Sequence, residues 1–275
     1  MAKSKTKNKA KSKSKPKAKS KPRSKAKSKM RSSAKSKPQR RAKSKLQPKR
    51  VSKSKIETKS IIELAKKNSS VKHIAIAGNI GSGKTTLTGL LSKNYRWEAQ
   101  YEDADDNPYL HDFYTDMPRW SFNLQIHFLN SRFSQVMKIR EKKKPVVQDR
   151  TIYEDAHIFA PNLHAMGLMT TRDFNNYISL FNMMSSFIQP PDLLIYLRGT
   201  VPALVQQISK RGREYENAIR LDYLTRLNER YEAWISSYDL GKILVVDIDD
   251  INFADNREDL AKIIQKINAE IFGLF

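Results

Sequence analysis

The sequence predicts an α/β domain, a three-layer sandwich in which a five-stranded parallel sheet is covered by helices on both faces. Three observations predict it. Along residues 71–275 short apolar runs alternate with stretches of helical period, the pattern of a parallel sheet buried on both sides. The run Ile74-Ala75-Ile76-Ala77 leads into Gly78-Asn79-Ile80-Gly81-Ser82-Gly83-Lys84-Thr85, and an apolar helical stretch follows from Thr86 to Leu91. That is G-x-x-x-x-G-K-[ST] between a strand and a helix, which makes the sandwich P-loop NTPase-type. Charge sets the domain's edge. Residues 1–55 hold 25 Lys and Arg and no Asp or Glu, whereas the rest is balanced, with 27 basic and 28 acidic residues.

The elements follow in order. The basic tail, for example Lys11-Ser12-Lys13-Ser14-Lys15-Pro16, has too few apolar residues to offset ordering entropy and is expected to be disordered over 1–55. Residues 56–70 read as a linker or short helix, and the domain spans 71–275. The first strand covers 72–77, and a second is expected over 96–102, ending at Tyr101-Glu102. A long helix from about Arg119 to Lys142 is marked by Phe122, Ile126, Leu129, Phe133, Val136 and Ile139, stepping by three and four. Pro145 to Asp149 is a short buried strand. Thr151–Pro161 and Thr171–Ile188 are helical, the second stopped by Pro190-Pro191. Leu193–Leu197 is the fourth strand, and Pro202 suits the first turn of the next helix. Leu221, Leu224, Leu227, Tyr231 and Trp234 share one face of another helix. Ile243–Val246 is the fifth strand, and Leu260–Phe272 closes the fold.

The glycine loop predicts a nucleoside triphosphate. Gly78, Asn79, Ile80, Gly81, Ser82, Gly83, Lys84, Thr85 and Thr86 form the expected phosphate cradle. Lys84 adds charge to a helix N-terminus, and Thr85 offers a hydroxyl to Mg²⁺. Asp149 closes an apolar strand, where a second Mg²⁺-holding carboxylate belongs; its competing reading is a helix N-cap. Arg150 follows at the same strand end, in the crevice where α/β sheets bind ligands. Lys210-Arg211-Gly212-Arg213 is a cationic loop that either closes over phosphates or complements a helix C-terminus. Glu102, after the second strand, suits a carboxylate that positions an acceptor alcohol, although Asp103, Asp105 and Asp106 crowd it. N-K-x-D and D-x-x-G are absent, which disfavours a GTP switch. The five histidines lack metal-ligand spacing, cysteine is absent, and no secretory core or membrane-spanning run occurs.

These motifs together resemble the deoxyribonucleoside kinase family, in its bacterial deoxyadenosine/deoxyguanosine kinase branch. The resemblance rests on the glycine loop, on Trp120-Ser121-Phe122-Asn123-Leu124-Gln125 with Arg132, on Asp149 to Asp155 with Ile158-Phe159-Ala160, and on Arg211-Gly212-Arg213 with Glu216. Asp149, Thr151 and the acidic run after Glu102 resemble that branch in particular. It implies an architecture like nucleoside monophosphate kinases. It also implies ATP-dependent phosphorylation of a deoxyribonucleoside 5′-hydroxyl, deoxyadenosine first, with Mg²⁺ held near Thr85 and Asp149. Glu102 and Arg150 would handle the 5′-hydroxyl, Tyr114 and Glu216 the sugar 3′-hydroxyl. Gln125 would read the base edge, Arg132 and Asp155 would complete that site as an ion pair, and Phe159 would stack on the ring. Lys84, Arg211 and Arg213 would neutralise phosphates.

Apolar helix faces suggest a homodimer, as in the resembled family, and a cytoplasmic site is expected of a salvage enzyme that uses intracellular nucleotides. Deoxyguanosine and deoxycytidine are the alternative substrates. A P-loop hydrolase or switch with a nucleic-acid-binding tail is the alternative class; it gives no reason for Tyr114, Gln125, Arg150 and Glu216 to occur together. The tail itself reads either as a salt-sensitive polyanion tether or as a solubilising extension.

Overall fold

A computed structural model describes residues 71–102, 107–213, 216 and 219–273. The expected disordered tail, the linker at 56–70 and the acidic run at 103–106 lie outside the described residues.

The sheet is parallel and five-stranded, in the order β2-β3-β1-β4-β5. Its strands are β1 (His73–Gly78), β2 (Glu98–Gln100), β3 (Val146–Asp149), β4 (Leu193–Arg198) and β5 (Lys242–Asp247). The chain moves from β1 to one edge, returns to β3, then crosses to β4 and β5. The order therefore reverses around β1, and such a switch point opens a crevice at the carboxyl ends of the strands. In β1, Ile74 and Ile76 pack into one apolar cluster with Leu87, Leu91 and Ile263. Ala75 and Ala77 face the other, with Leu129, Tyr196 and Tyr231. A period of two thus divides one strand between two cores, which is why both of its faces read as apolar.

Beyond β1 the chain forms α1 (Lys84–Tyr95), α2 (Leu110–Thr115) and the long α3 (Met117–Glu141). Asp116 caps α3 by accepting from Arg119 N at 3.2 Å, and Pro118 sits in its first turn. After β3 come α4 (Ile152–Glu154), a π-helical turn (Asp155–Phe159), α5 (Ala160–Ala165) and α6 (Thr171–Ser185). Helices α7 (Val201–Arg211), α8 (Leu221–Ser236) and α9 (Arg257–Phe272) complete the domain.

Three details differ from the sequence expectation, and a fourth decides between its two readings of Asp149. β2 is three residues, not seven, because its partner β3 offers only Val146 to Gln148 in register; Tyr101 and Glu102 leave the sheet. The short α2 falls between the acidic run after Glu102 and the long helix, where the sequence predicts no element. Pro161 does not end its helix: a π turn re-registers the hydrogen-bond ladder just before it, where the missing proline N–H costs least. Finally, α4 is capped by Thr151, whose hydroxyl accepts from Glu154 N, while the Glu154 side chain accepts from Thr151 N at 2.7 Å. Asp149 is therefore not the N-cap.

Candidate functional site

The carboxyl ends of β1 and β3 and the start of α1 meet at one cleft. The glycine loop requires its glycines. Gly81 has φ +86°, and a Cβ there would lie 2.7 Å from the Leu204 carbonyl oxygen. Gly83 has φ +85° and would place a Cβ 2.9 Å from the Phe253 ring. Both positions combine left-handed backbone with close approach, which side chains resist. Within the loop, Lys84 Nζ donates to the Asn79 carbonyl at 2.8 Å. The Asn79 amide donates to Leu224 O and Asn228 Oδ1, both at 3.2 Å, and so braces the loop against α8.

The cleft encloses about 740 Å³, its mouth included. Ile80, Gly81, Lys84, Thr85, Glu102, Tyr114, Gln125, Arg132, Arg150, Asp155, Phe159, Arg211, Arg213 and Glu216 all line it. These come from the glycine loop, α1, the segment after β2, α2, α3, the β3 end, the π turn, and the end of α7 with the loop after it. Gly81, Ser82, Gly83 and Thr86 line a neighbouring cavity with Asp249 to Ala254. Gly78, Asn79 and Asp149 line neither cavity; they lie behind the walls. Sequence reasoning missed the apolar walls Leu110, Phe113, Leu124, Phe128 and Tyr223. As apolar residues they carry no signal that separates a pocket wall from ordinary core.

Four buried or half-buried ionic groups organise the floor. Glu102 Oε1 pairs with Arg132 Nη2 at 2.7 Å, and Glu102 Oε2 with Arg150 Nε at 3.3 Å. Arg132 Nε approaches Asp155 Oδ2 to 2.7 Å as an ion pair, without hydrogen-bond alignment. The Arg150 guanidinium lies 4.7 Å from the Phe159 ring centroid. Arg150 itself has φ +68°, a strained backbone that turns its side chain from the strand end toward the cleft. At the rim, Arg211 Nε donates to Glu216 Oε2 at 3.0 Å and Arg213 Nη1 lies 3.8 Å from Glu216 Oε1.

Burial and charge shape the acidities. Burial pushes Glu102 up, but Arg132, Arg150 and Lys84 outweigh it and hold the carboxyl at about 2. Asp155 is pushed up to about 7 by burial, against Arg132 and Arg150. Lys84 falls to about 7, through burial first and Arg150 second. Burial also raises Asp149.

Thr85 Oγ1 donates to Asp149 Oδ2 at 2.5 Å, and Asp149 Oδ1 is buried without a hydrogen-bond partner. A hydroxyl and an under-used carboxylate oxygen beside the loop form an oxygen donor set that fits Mg²⁺. That ion takes few protein ligands and completes its shell with water and phosphate. Among the described residues no group of three His, Cys, Asp or Glu is arranged to hold a metal. Gln125 is almost fully buried, and its Oε1 has no hydrogen-bond partner. An orphaned amide oxygen at a pocket wall is set to accept from a bound molecule.

Comparison with known proteins agrees with this geometry. A family model described as deoxynucleoside kinase matches residues 74–272. The chain is 40% identical over 201 residues to the deoxyadenosine/deoxycytidine kinase of Bacillus subtilis, covering 72% of this chain and 92% of that protein. It is 40% identical over 203 residues to the deoxyadenosine kinase of Dictyostelium discoideum, covering 74% and 81%. A solved structure of deoxyadenosine kinase from M. mycoides with bound dATP aligns with a TM-score of 0.63 at 31% identity, covering 71% of this chain and 99% of that one.

Proposed function

The chain belongs to the deoxynucleoside kinase family and is an enzyme that phosphorylates deoxynucleosides, and on that premise we propose how its own residues carry the reaction. The γ-phosphoryl of ATP passes to the 5′-hydroxyl of a deoxyribonucleoside, deoxyadenosine first. The observation that carries this reading is the sharing of one cleft by Lys84 and Thr85 on the donor side and Glu102, Arg150 and Gln125 on the acceptor side.

Phosphoryl transfer asks for positioning and charge neutralisation more than covalent help. The glycine loop and the α1 N-terminus receive the triphosphate, with Lys84 as the full charge. The donor base takes the neighbouring cavity beside Asp249 to Phe253. Mg²⁺, held near Thr85 and Asp149, supplies further neutralisation of the phosphates when bound. Arg211 and Arg213 reach across from the rim.

Glu102 acts on the acceptor hydroxyl as an aligned hydrogen-bond acceptor. A carboxyl held at about 2 is a weak base at neutral pH, so alignment outweighs early proton removal. A loose transition state suits this, since the hydroxyl proton leaves late. Arg150 sits beside the same oxygen and the transferring group. Tyr114 and Glu216 hold the sugar 3′-hydroxyl. Gln125 Oε1 accepts from the base edge, Arg132 and Asp155 shape that subsite, and Phe159 packs on the base. Burial raises the Asp155 carboxyl, and its ion pair with Arg132 holds both side chains at that wall.

Met137, Met183 and Phe187 are exposed apolar residues at and beyond α3 and α6, and Arg140 donates to the Phe187 carbonyl. We assign this face to a homodimer. The enzyme is placed in the cytoplasm, and the basic tail is an accessory polyanion contact. Among the described residues no helix is long and apolar enough to cross a membrane. A panel of deoxynucleosides against ATP and GTP, read as monophosphate formation, tests the reading. Deoxyadenosine with ATP should give the highest kcat/KM. Hydrolysis of ATP without any acceptor product would overturn it.

A further inference from the structure

Glu154 lies behind the cleft wall, fully buried, and lines neither the cleft nor its neighbouring cavity. A helix cap uses one of its oxygens: Oε2 accepts from Thr151 N at 2.7 Å and from Thr151 Oγ1 at 3.3 Å. The other oxygen serves something else. Glu154 Oε1 accepts from Tyr231 Oη at 2.8 Å, from Arg150 Nη1 at 3.4 Å and from Gly78 N at 3.3 Å. Tyr231 closes the set, since Arg150 Nη1 also donates to Tyr231 Oη at 2.8 Å. Gly78 opens the phosphate loop, and Arg150 carries the cation on the acceptor side. One carboxylate oxygen therefore joins the two halves of the cleft.

We propose that Glu154 is a positioning residue for phosphoryl transfer, which with Tyr231 seats the Arg150 guanidinium from behind and fixes it relative to the first amide of the glycine loop. The inference rests on the reading of Arg150 as the acceptor-side cation. Arg150 needs such a seat. Its long side chain leaves a strained left-handed backbone, and among the described residues Glu102 is its hydrogen-bond partner on the cleft side, at 3.3 Å, with the Phe159 ring stacked nearby. In a reaction driven by alignment, a misplacement near 1 Å costs about 100-fold in rate. A glutamine at 154 keeps the shape but removes the function. Whichever way its amide turns, the NH₂ confronts donors, either Thr151 N–H or the set of Gly78 N–H, Arg150 and Tyr231 O–H.

The test uses the full-length enzyme and the variants Arg150→Ala, Glu154→Gln, Tyr231→Phe and the double variant Arg150→Ala with Glu154→Gln. Steady-state rates, thermal melts and rescue by added guanidinium chloride are measured. Arg150→Ala should lose most activity, and guanidinium should restore part of it by entering the seat that Glu102, Glu154 and Tyr231 form. Glu154→Gln should lower kcat about 100-fold, while KM for ATP stays within about threefold. The double variant should resist rescue. Tyr231→Phe should show a smaller fall in kcat, and it decides the matter if Glu154→Gln fails to fold. Wild-type kcat in Glu154→Gln with a lowered melting temperature would reduce Glu154 to a helix cap, and so would equal rescue of the double variant. In a misfolding Glu154→Gln background, wild-type kcat in Tyr231→Phe would have the same meaning. A wild-type rate in Arg150→Ala is a different result: it removes Arg150 itself from the mechanism.

Discussion

At the scale of the residue, the site turns on charges that hold one another in place. Glu102 is gripped by two arginines, and removing one partner of such a cluster leaves buried charge uncompensated. Glu102→Gln should therefore lower kcat by about 100-fold or more while nucleoside KM changes far less; steady-state kinetics with an unchanged kcat would remove Glu102 from the reaction. Lys84 gives a pH signature. Its folded value of about 7 means that it is charged below that pH and neutral above it. A bound triphosphate raises that value, so ATP binding at pH 8 should take up a proton at Lys84, and affinity should fall as pH rises through 7. Calorimetry in buffers of different ionisation enthalpy reads this uptake directly, and Lys84→Arg should abolish it, because arginine stays protonated. Gln125→Ala should weaken nucleoside binding and spare ATP; equal losses for both ligands would separate Gln125 from the base. Lys84 was legible because a lysine in a glycine loop carries its chemistry in its type and spacing; Glu102 was only weakly marked by its place after a strand, and Gln125 entered through the family resemblance alone. Glu154 was not singled out from the sequence, although Thr151-x-x-Glu154 has capping-box spacing. Its second role depends on Gly78 and Tyr231, which only folding brings to it.

At the scale of the element, the glycine loop is the least forgiving segment. Gly81→Ala must place a methyl against the Leu204 carbonyl at a backbone angle that alanine avoids. A loss of about 1–3 kcal/mol in stability is expected from the strain alone, together with loss of ATP binding; a melt and a binding isotherm check both. Strands and long helices were legible from their periods, as with α3 and its stepping apolar row. Short elements were not. α2 has six residues, too few for a period to emerge, yet it supplies Leu110, Phe113 and Tyr114 to the cleft. β2 was overestimated because a strand's length depends on its neighbour's register, not on its own sequence. The π turn was invisible for a similar reason. It accommodates Pro161 by changing the hydrogen-bond step, and it places Asp155 and Phe159 on the cleft wall.

At the scale of the whole molecule, the charged tail and the near-neutral domain are separate in composition, so their functions should separate too. Deleting residues 1–55 should leave kcat and KM for deoxyadenosine unchanged and abolish salt-sensitive retention on DNA or RNA; a collapse of phosphorylation would show that the tail belongs to the enzyme. The sequence by itself determined the fold class and the phosphate loop, and the order of its motifs pointed to the family. Those depend on local rules: alternation of apolar runs, glycines at forced angles, and residue types that admit few chemistries. Only the tertiary structure decided that Glu102 is shared between Arg132 and Arg150, which apolar side chains wall a pocket instead of filling a core, and in which direction burial moves each acidity. Those depend on distances between residues far apart in the chain, and electrostatic energy in a dry interior changes steeply with such distances.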